Sequence, residues 1–197
     1  DKPTPPLPNA IVVKFPINVD LVAEHIGFPL VMKTLSGAQG RGVFLSPTPE
    51  HFCDMLQLLE QIAPTANIVL QEYIKDSHGR DLRVVTVGGR VVACMERKAP
   101  PDSFKANFSQ GGMVSDYPLT PQIEWLATSV ANLMKLDVSG VDLLFDGEGY
   151  KVCEVNSAPG FRGLESACDV NLPKSIFHHI RIKKGFVRGG RTTRSQI

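Results

Sequence analysis

Apolar and polar positions alternate in short runs over much of the chain and recur at helical spacing in a few longer ones. Residues 10–15, 30–33, 43–45 and 68–70 are short β-rich runs. Residues 81–87 alternate, Gly88-Gly89 supplies a turn and residues 90–97 return, which predicts a hairpin. Asn18 or Asp20 caps a helix reaching about Ile26, where Gly27-Phe28-Pro29 breaks it. Thr48-Pro49 opens another, with Phe52, Met55, Leu56, Leu59 and Ile62 on its core face and Pro64 after its end. Thr120-Pro121 repeats that start, with a buried stripe of Ile123, Leu126, Ala127, Val130 and Met134 and with Trp125 as packing. A last helix covers about residues 173–182.

The most informative pattern is the apolar–turn–apolar stretch GVDLLFDGEGYKVCEVN at residues 140–156. Its two runs flank Asp146-Gly147-Glu148-Gly149, a hairpin signal, and both carry hard oxygen donors: Asp142 in the first, Glu154 and Asn156 in the second. Glu154 and Asn156 are two apart and share a face of a strand. A three-residue loop Gly147-Glu148-Gly149 places Asp142 opposite Glu154, whereas a register shifted by one sends them to opposite faces. Two carboxylates and an amide oxygen on one face suit Mg²⁺ or Mn²⁺. Taken alone, such a hairpin is more simply an acidic surface.

Other stretches bear on that choice. Gly37, Gly40 and Gly42 make a flexible loop at residues 36–42 whose bare N–H groups can cradle phosphate, and Lys33 stands just before it. There is no Walker motif, and a plain glycine-rich hairpin explains the loop as well. Asp81, Arg83, Glu96 and Arg97 are charged groups among apolar neighbours, either on an exposed face or around a common cleft. Residues 98–112 form a long loop of the kind that is functional or disordered. Residues 157–163 form a turn beside Asn156.

With 197 residues, 43% of them hydrophobic and 21% charged, the chain has the composition of a globular domain with one sizeable core or two small subdomains. No apolar run reaches membrane-spanning length and no signal segment opens the chain, so a cytoplasmic location without membrane attachment is expected. Cys53, Cys94, Cys153 and Cys168 lack C-x-x-C spacing and the five histidines lack metal-ligand spacing, which disfavours disulfides and zinc. Residues 1–9 are Pro-rich and extended, as in a linker. Six of the 21 basic residues lie between Arg181 and Arg194, where there is no acid. The other 15 face 20 acids, so residues 1–180 carry about −5 and residues 183–197 read as a basic, disordered tail. Without aromatic interleaving in the tail or a basic face in the body, a nucleic-acid partner is disfavoured.

Taken together, QEYI at 71–74, D-x-R at 81–83, Arg97, Asn107 and Gly111-Gly112, GVDLL at 140–144 and EVNSAPG at 154–160 resemble the RimK-like ATP-grasp ligases, in register from about Leu7 to Ile182. The resemblance implies the ATP-grasp fold, two α+β subdomains with antiparallel sheets enclosing an ATP cleft, here residues 10–71 and 72–182. It implies ATP and Mg²⁺ or Mn²⁺, with Asp142, Glu154 and Asn156 holding two ions bridged by Glu154. Lys33 would bind the α- and β-phosphates, and the loop with Gly37, Gln39, Gly40 and Gly42 would close over them. Gln71, Glu72, Tyr73 and Ile74 would form the adenine-side hinge, with Glu72 and backbone groups reading the base. Asp81, Lys105 and Asn107 match nucleotide-contacting positions, and Arg97 would face the γ-phosphate. Lys33 and Arg97 are the residues expected to carry catalysis, and Arg83 and Arg162 to bind carboxylates of the acceptor.

The implied activity joins glutamate or another amino acid to a small carboxylic acid or a protein acceptor through an acyl phosphate. Family members carry a further N-terminal domain and an upstream phosphate-binding lysine, for which this chain begins too late; Lys14 falls on the wrong element to replace that lysine. A truncated, non-catalytic ATP-binding interaction module is the alternative. A homo-oligomer is compatible with either.

Overall fold

A computed structural model describes residues 3–35, 42–101, 103–106 and 111–186. The first sheet has the strand order β1 (Ala10–Val13), β4 (Ile68–Glu72), β2 (Leu30–Thr34) and β3 (Val43–Ser46), all pairs antiparallel. Helices α1 (Val19–His25) and α2 (Pro49–Ile62) back it. Strand alternation sends Leu30, Met32, Ile68 and Leu70 into a core with Phe52, Leu56 and Leu59 of α2. The intervening residues Val31, Lys33 and Gln71 look the other way, into a cleft.

The second sheet has the order β7 (Met113–Asp116), β6 (Arg90–Lys98), β5 (Arg80–Val87), β8 (Val138–Asp146) and β9 (Gly149–Asn156), again antiparallel. Its back packs Leu82, Val84, Val141 and Leu143 on Ile123, Leu126 and Ala127 of α3 (Pro121–Leu133). Its front is divided. At one end Val85, Val87 and Met95 lie under Leu164 of α4 (Arg162–Ala167) and Leu172 of α5 (Leu172–Lys183). At the other end the same face turns polar and closes the cleft.

Asn18, Thr48 and Thr120 cap α1, α2 and α3 as expected, each side chain accepting the N–H three residues on. Three helix expectations need correction. Ile62, in the last turn of α2, is 69% exposed, and Met134 lies past the end of α3 and is exposed, with Ala131 buried in its place. Trp125 is 36% exposed, because two residues after Ile123 it lies about 200° around the helix. Strand β7 and helix α4 give no clear periodic signal, being four and six residues long.

The Pro-rich start is docked. Pro5 and Pro8 are buried, the Pro6 carbonyl accepts the Val152 N–H at 2.8 Å, and the Asn9 carbonyl accepts the Glu72 N–H at 2.8 Å. At the other end, Lys183 belongs to α5, where its ammonium pairs with Asp137, so it is not part of a disordered tail. Residues 187–197 lie outside the described residues. Among the described residues no helix is long and apolar enough to cross a membrane.

The turn after β9 folds back over β8. A Cβ added at Gly140 would lie 2.7 Å from the Pro159 Cβ. Gly140→Ala is therefore expected to push the 157–161 turn off the sheet and to cost about 1–3 kcal/mol of stability. A lowered urea midpoint at unchanged slope checks this.

Candidate active site

The β8–β9 hairpin reaches its register by a route the sequence does not announce. Asp146 pairs with Gly149, so the loop is the two residues Gly147-Glu148 and not the three-residue loop expected. Gly147 has φ +58° and Glu148 does not have positive φ, the pattern of a type II′ turn. The pairs Phe145–Tyr150, Leu144–Lys151 and Leu143–Val152 follow from that turn. Continued unbroken, this register would put Glu154 on the face opposite Asp142. A β-bulge at Cys153 inserts one unpaired residue, after which Asp142 faces Glu154, Val141 faces Val155 and Gly140 faces Asn156. The expected juxtaposition is present, through a shorter turn and a compensating bulge. The bulge also lets two consecutive residues, Cys153 and Glu154, line the cleft.

Asp142 is joined there by neighbours on β5 and β6. Arg83 pairs with Asp142 across β5–β8, and Asp81 with Arg97 across β5–β6. The Arg83 guanidinium forks onto Asp142, Nε donating to Oδ1 at 2.7 Å and Nη2 to Oδ2 at 2.6 Å. Arg97 forks onto Asp81 at 2.6 and 2.7 Å and its Nη2 also donates to Asp142 Oδ2 at 2.9 Å. Asp142 and Arg97 are buried, 5% and 4% exposed. Burial pushes the Asp142 carboxyl up, but Arg97 and Arg83 outweigh it and hold it below its ordinary value. For Asp81 burial wins over Arg97, and its carboxyl is raised. Burial works to lower the Arg97 guanidinium, and the two carboxylates more than reverse that, so it stays charged.

The other wall comes from the first sheet and the segment joining the two. Lys33 Nζ donates to Gln71 Oε1 at 2.7 Å and reaches 3.5 Å from Cys153 Sγ, one of the contacts between the two sheets. Gln71, Glu72, Tyr73 and Ile74 all line the cleft. The Glu72 carboxylate accepts from Lys151 Nζ at 3.3 Å and from the Asn9 N–H at 3.0 Å, and the Tyr73 hydroxyl is bonded to His78. Lys105 closes the mouth with Phe104 and Ala106, its Nζ 5.6 Å from the centre of the Phe44 ring. The resulting cleft lies between the two sheets and is open to solvent on one side.

Lys33, Gln71, Glu72, Tyr73, Ile74, Asp81, Arg97, Lys105, Asp142 and Glu154 are thus brought to one cleft. Gly42 ends the glycine loop with φ +75°, its carbonyl accepting the Thr34 N–H. Gly37, Gln39, Gly40 and Asn107 lie outside the described residues. Arg162 is exposed at the first position of α4 and is not among the residues lining the cleft; Arg83 is engaged by Asp142. Cys153 lines the cleft although it neighbours Glu154, a position that strand parity hides and the bulge explains; Leu144, two residues from Asp142 on β8, also lines it, and Lys151 reaches it through Glu72.

Among the described residues no three His, Cys, Asp or Glu side chains converge as a metal cluster. The donor set that fits a hard cation is Asp142, Glu154 and Asn156. Asn156 supplies an observation for it: its Nδ2 is buried and has no hydrogen-bond partner. Asn156 is not among the residues lining the cleft, and exchange of its amide oxygen and nitrogen would leave a buried carbonyl oxygen in the unpartnered position.

Removing Arg97 would leave two buried carboxylates with half their compensation. Arg97→Met is expected to lower stability by about 3–5 kcal/mol. Because Asp142 is held below its ordinary value and Asp81 above it, Asp142→Asn should cost more at neutral pH than Asp81→Asn. The Asp142 contribution is present above the unfolded carboxylate value of about 3.9 and is lost as pH falls through its lower folded value. Denaturant titrations of the three variants across pH check the order.

The chain matches the family described as RimK-like ATP-grasp domain over residues 3–180. It is 40% identical over 179 residues to a probable alpha-L-glutamate ligase 1 of Pseudoalteromonas atlantica, covering 90% of this chain and 59% of that protein. It is 38% identical over 169 residues to a probable alpha-L-glutamate ligase of Parasynechococcus marenigrum, covering 86% of this chain and 36% of that one. Beta-citrylglutamate synthase B of Danio rerio is 40% identical over 151 residues, 76% of this chain and 36% of that protein. The chain therefore spans from about a third to three fifths of the length of these curated relatives. Among solved structures, the D-alanine–D-alanine ligase of Bacillus anthracis complexed with ATP superposes with a TM-score of 0.68 at 20% identity, over 93% of this chain and 63% of that one. The ATP-grasp ligase PsnB, complexed with a precursor peptide and AMPPNP, gives 0.65 at 18% identity, over 88% and 52%. The structural likenesses establish an ATP-grasp fold. On the family match and the sequence relatives, the chain belongs to the RimK-like ATP-grasp family.

Proposed function

We propose that this chain carries the nucleotide- and metal-binding core of an ATP-dependent ligase that joins an amine to a carboxylate. The observation that supports it most is the meeting of Lys33 from one sheet with Arg97, Asp142 and Glu154 from the other in a single cleft. ATP would lie between the sheets, its base against residues 71–74 and its phosphates toward Lys33 and the 36–42 loop. A substrate carboxylate attacks the γ-phosphorus and ADP leaves, giving an acyl phosphate. An amine then attacks the acyl carbon, phosphate leaves, and an amide is formed. Such phosphoryl transfer asks the protein for alignment and charge neutralisation more than for a nucleophile.

Each residue has a part in that. Lys33, a point charge on a strand, holds phosphate oxygens. Arg97, fixed by its fork on Asp81, presents charge toward the transferring phosphoryl group. Asp142, Glu154 and Asn156 would hold Mg²⁺ or Mn²⁺, two ions with Glu154 between them, and the metal supplies neutralisation of the phosphate charge. Asp81 orients Arg97, Lys105 and Asn107 complete the nucleotide contacts, and Arg83 and Arg162 take acceptor carboxylates. The amine donor is glutamate or a similar amino acid, the class for which the sequence relatives are named.

Incubation with ATP, Mg²⁺, glutamate and a panel of carboxylic acids should release ADP. The double variant Asp142→Ala/Glu154→Ala should lose that turnover by about 100-fold or more. Metal-dependent ATP binding with no turnover for any acid would instead identify a nucleotide-binding module.

A further inference from the structure

Resting on the functional reading above, we propose that Arg83 and a divalent cation are alternative partners of Asp142, so that Arg83 is a resident counter-cation which the metal must displace. Asp142 accepts three hydrogen bonds, one on Oδ1 from Arg83 and two on Oδ2 from Arg83 and Arg97. Arg97 keeps its fork on Asp81 if it loses Asp142, and so remains paired. Arg83 has no second carboxylate among the described residues. Release of Arg83 therefore clears Oδ1 of its guanidinium donor without breaking the Asp81–Arg97 pair.

The charges make the exchange conditional. Asp81, Asp142, Arg83 and Arg97 sum to zero, so a cation drawn by Glu154 meets two guanidiniums beside Asp142 and no net negative charge from that quartet. Forked, charge-assisted bonds of this kind are stronger than single ones, and a metal must lose water to replace them. Nucleotide phosphates reverse the balance. They bring several negative charges into the cleft, attract the guanidiniums and arrive with metal bound. Metal affinity at Asp142 is then low for the free ion and high in the presence of a nucleotide. The displaced Arg83 fork stays beside the cleft, with the shape and charge to receive a carboxylate. Arg83 in this account is a positioning residue that couples metal entry to the appearance of an acceptor site.

The test uses Mn²⁺ and its paramagnetic resonance signal, with the full chain, with and without AMPPNP. The wild-type chain should bind Mn²⁺ at least about 10-fold more weakly without nucleotide than Arg83→Gln does, and Arg83→Lys should fall between them. Asp142→Asn added to Arg83→Gln should abolish the gain. Equal nucleotide-free Mn²⁺ affinity of wild type and Arg83→Gln overturns the exchange. A wild-type chain that forms no ternary Mn²⁺–AMPPNP complex overturns the functional reading itself, and the exchange with it. A second measurement needs no variant. The Arg83 Nε–H proton, followed by nitrogen-15 NMR, should exchange slowly in the free chain and faster once Mg²⁺ and AMPPNP are added; an unchanged rate overturns the exchange.

Discussion

A buried guanidinium and a buried carboxylate, Arg97 and Asp142, each bonded to a part-buried partner, Asp81 and Arg83, hold the centre of this molecule. Each charge is tolerated inside only because the others are there, since an unpaired ion at such depth would cost several kcal/mol. The four side chains come from three neighbouring strands, β6, β5 and β8, so their geometry fixes how those strands lie. The face that carries them cannot be covered by apolar helices, and it is not. Helices α4 and α5 cover the same face only farther along, where Val85, Val87 and Met95 replace the charged positions. The cleft exists because one sheet face changes character partway along its strands.

The bulge at Cys153 matters for a related reason. A hairpin's turn dictates its parity, and the two-residue turn at Gly147-Glu148 dictates the wrong parity for Asp142 and Glu154 to meet. One inserted residue repairs it locally, leaving the apolar pairing of Leu143 with Val152 intact on the other side. The same residue supplies the sulfur near Lys33, so the irregularity in one sheet is also one of the places where the opposing sheet makes contact.

Much of this was legible in the residues. The capped helices Thr48-Pro49 and Thr120-Pro121, the Gly88-Gly89 hairpin and the alternation on β2 and β5 follow from local chemistry that tertiary structure does not override. The site residues on the second sheet were legible as charged positions among apolar ones, though their direction was not. Whether Arg83 would face solvent, a ligand or Asp142 depends on which strand lies beside β5, and that pairing joins residues about sixty apart in sequence. The hairpin loop was misjudged because Gly149 has no property that separates a turn glycine from a paired one. Strand β7 and helix α4 were missed for want of length, their stability coming from what they pack on.

The docked N-terminal segment has a consequence for the outer side of the second sheet. Strand β9 is an edge, and an edge offers a row of unpaired N–H and C=O groups on which another chain could add. Pro6 occupies one of those groups at Val152, and Pro5, Pro6 and Pro8 have no N–H of their own to offer further outward. The segment thus covers part of that edge with backbone poor in N–H donors, a weaker template for a further strand.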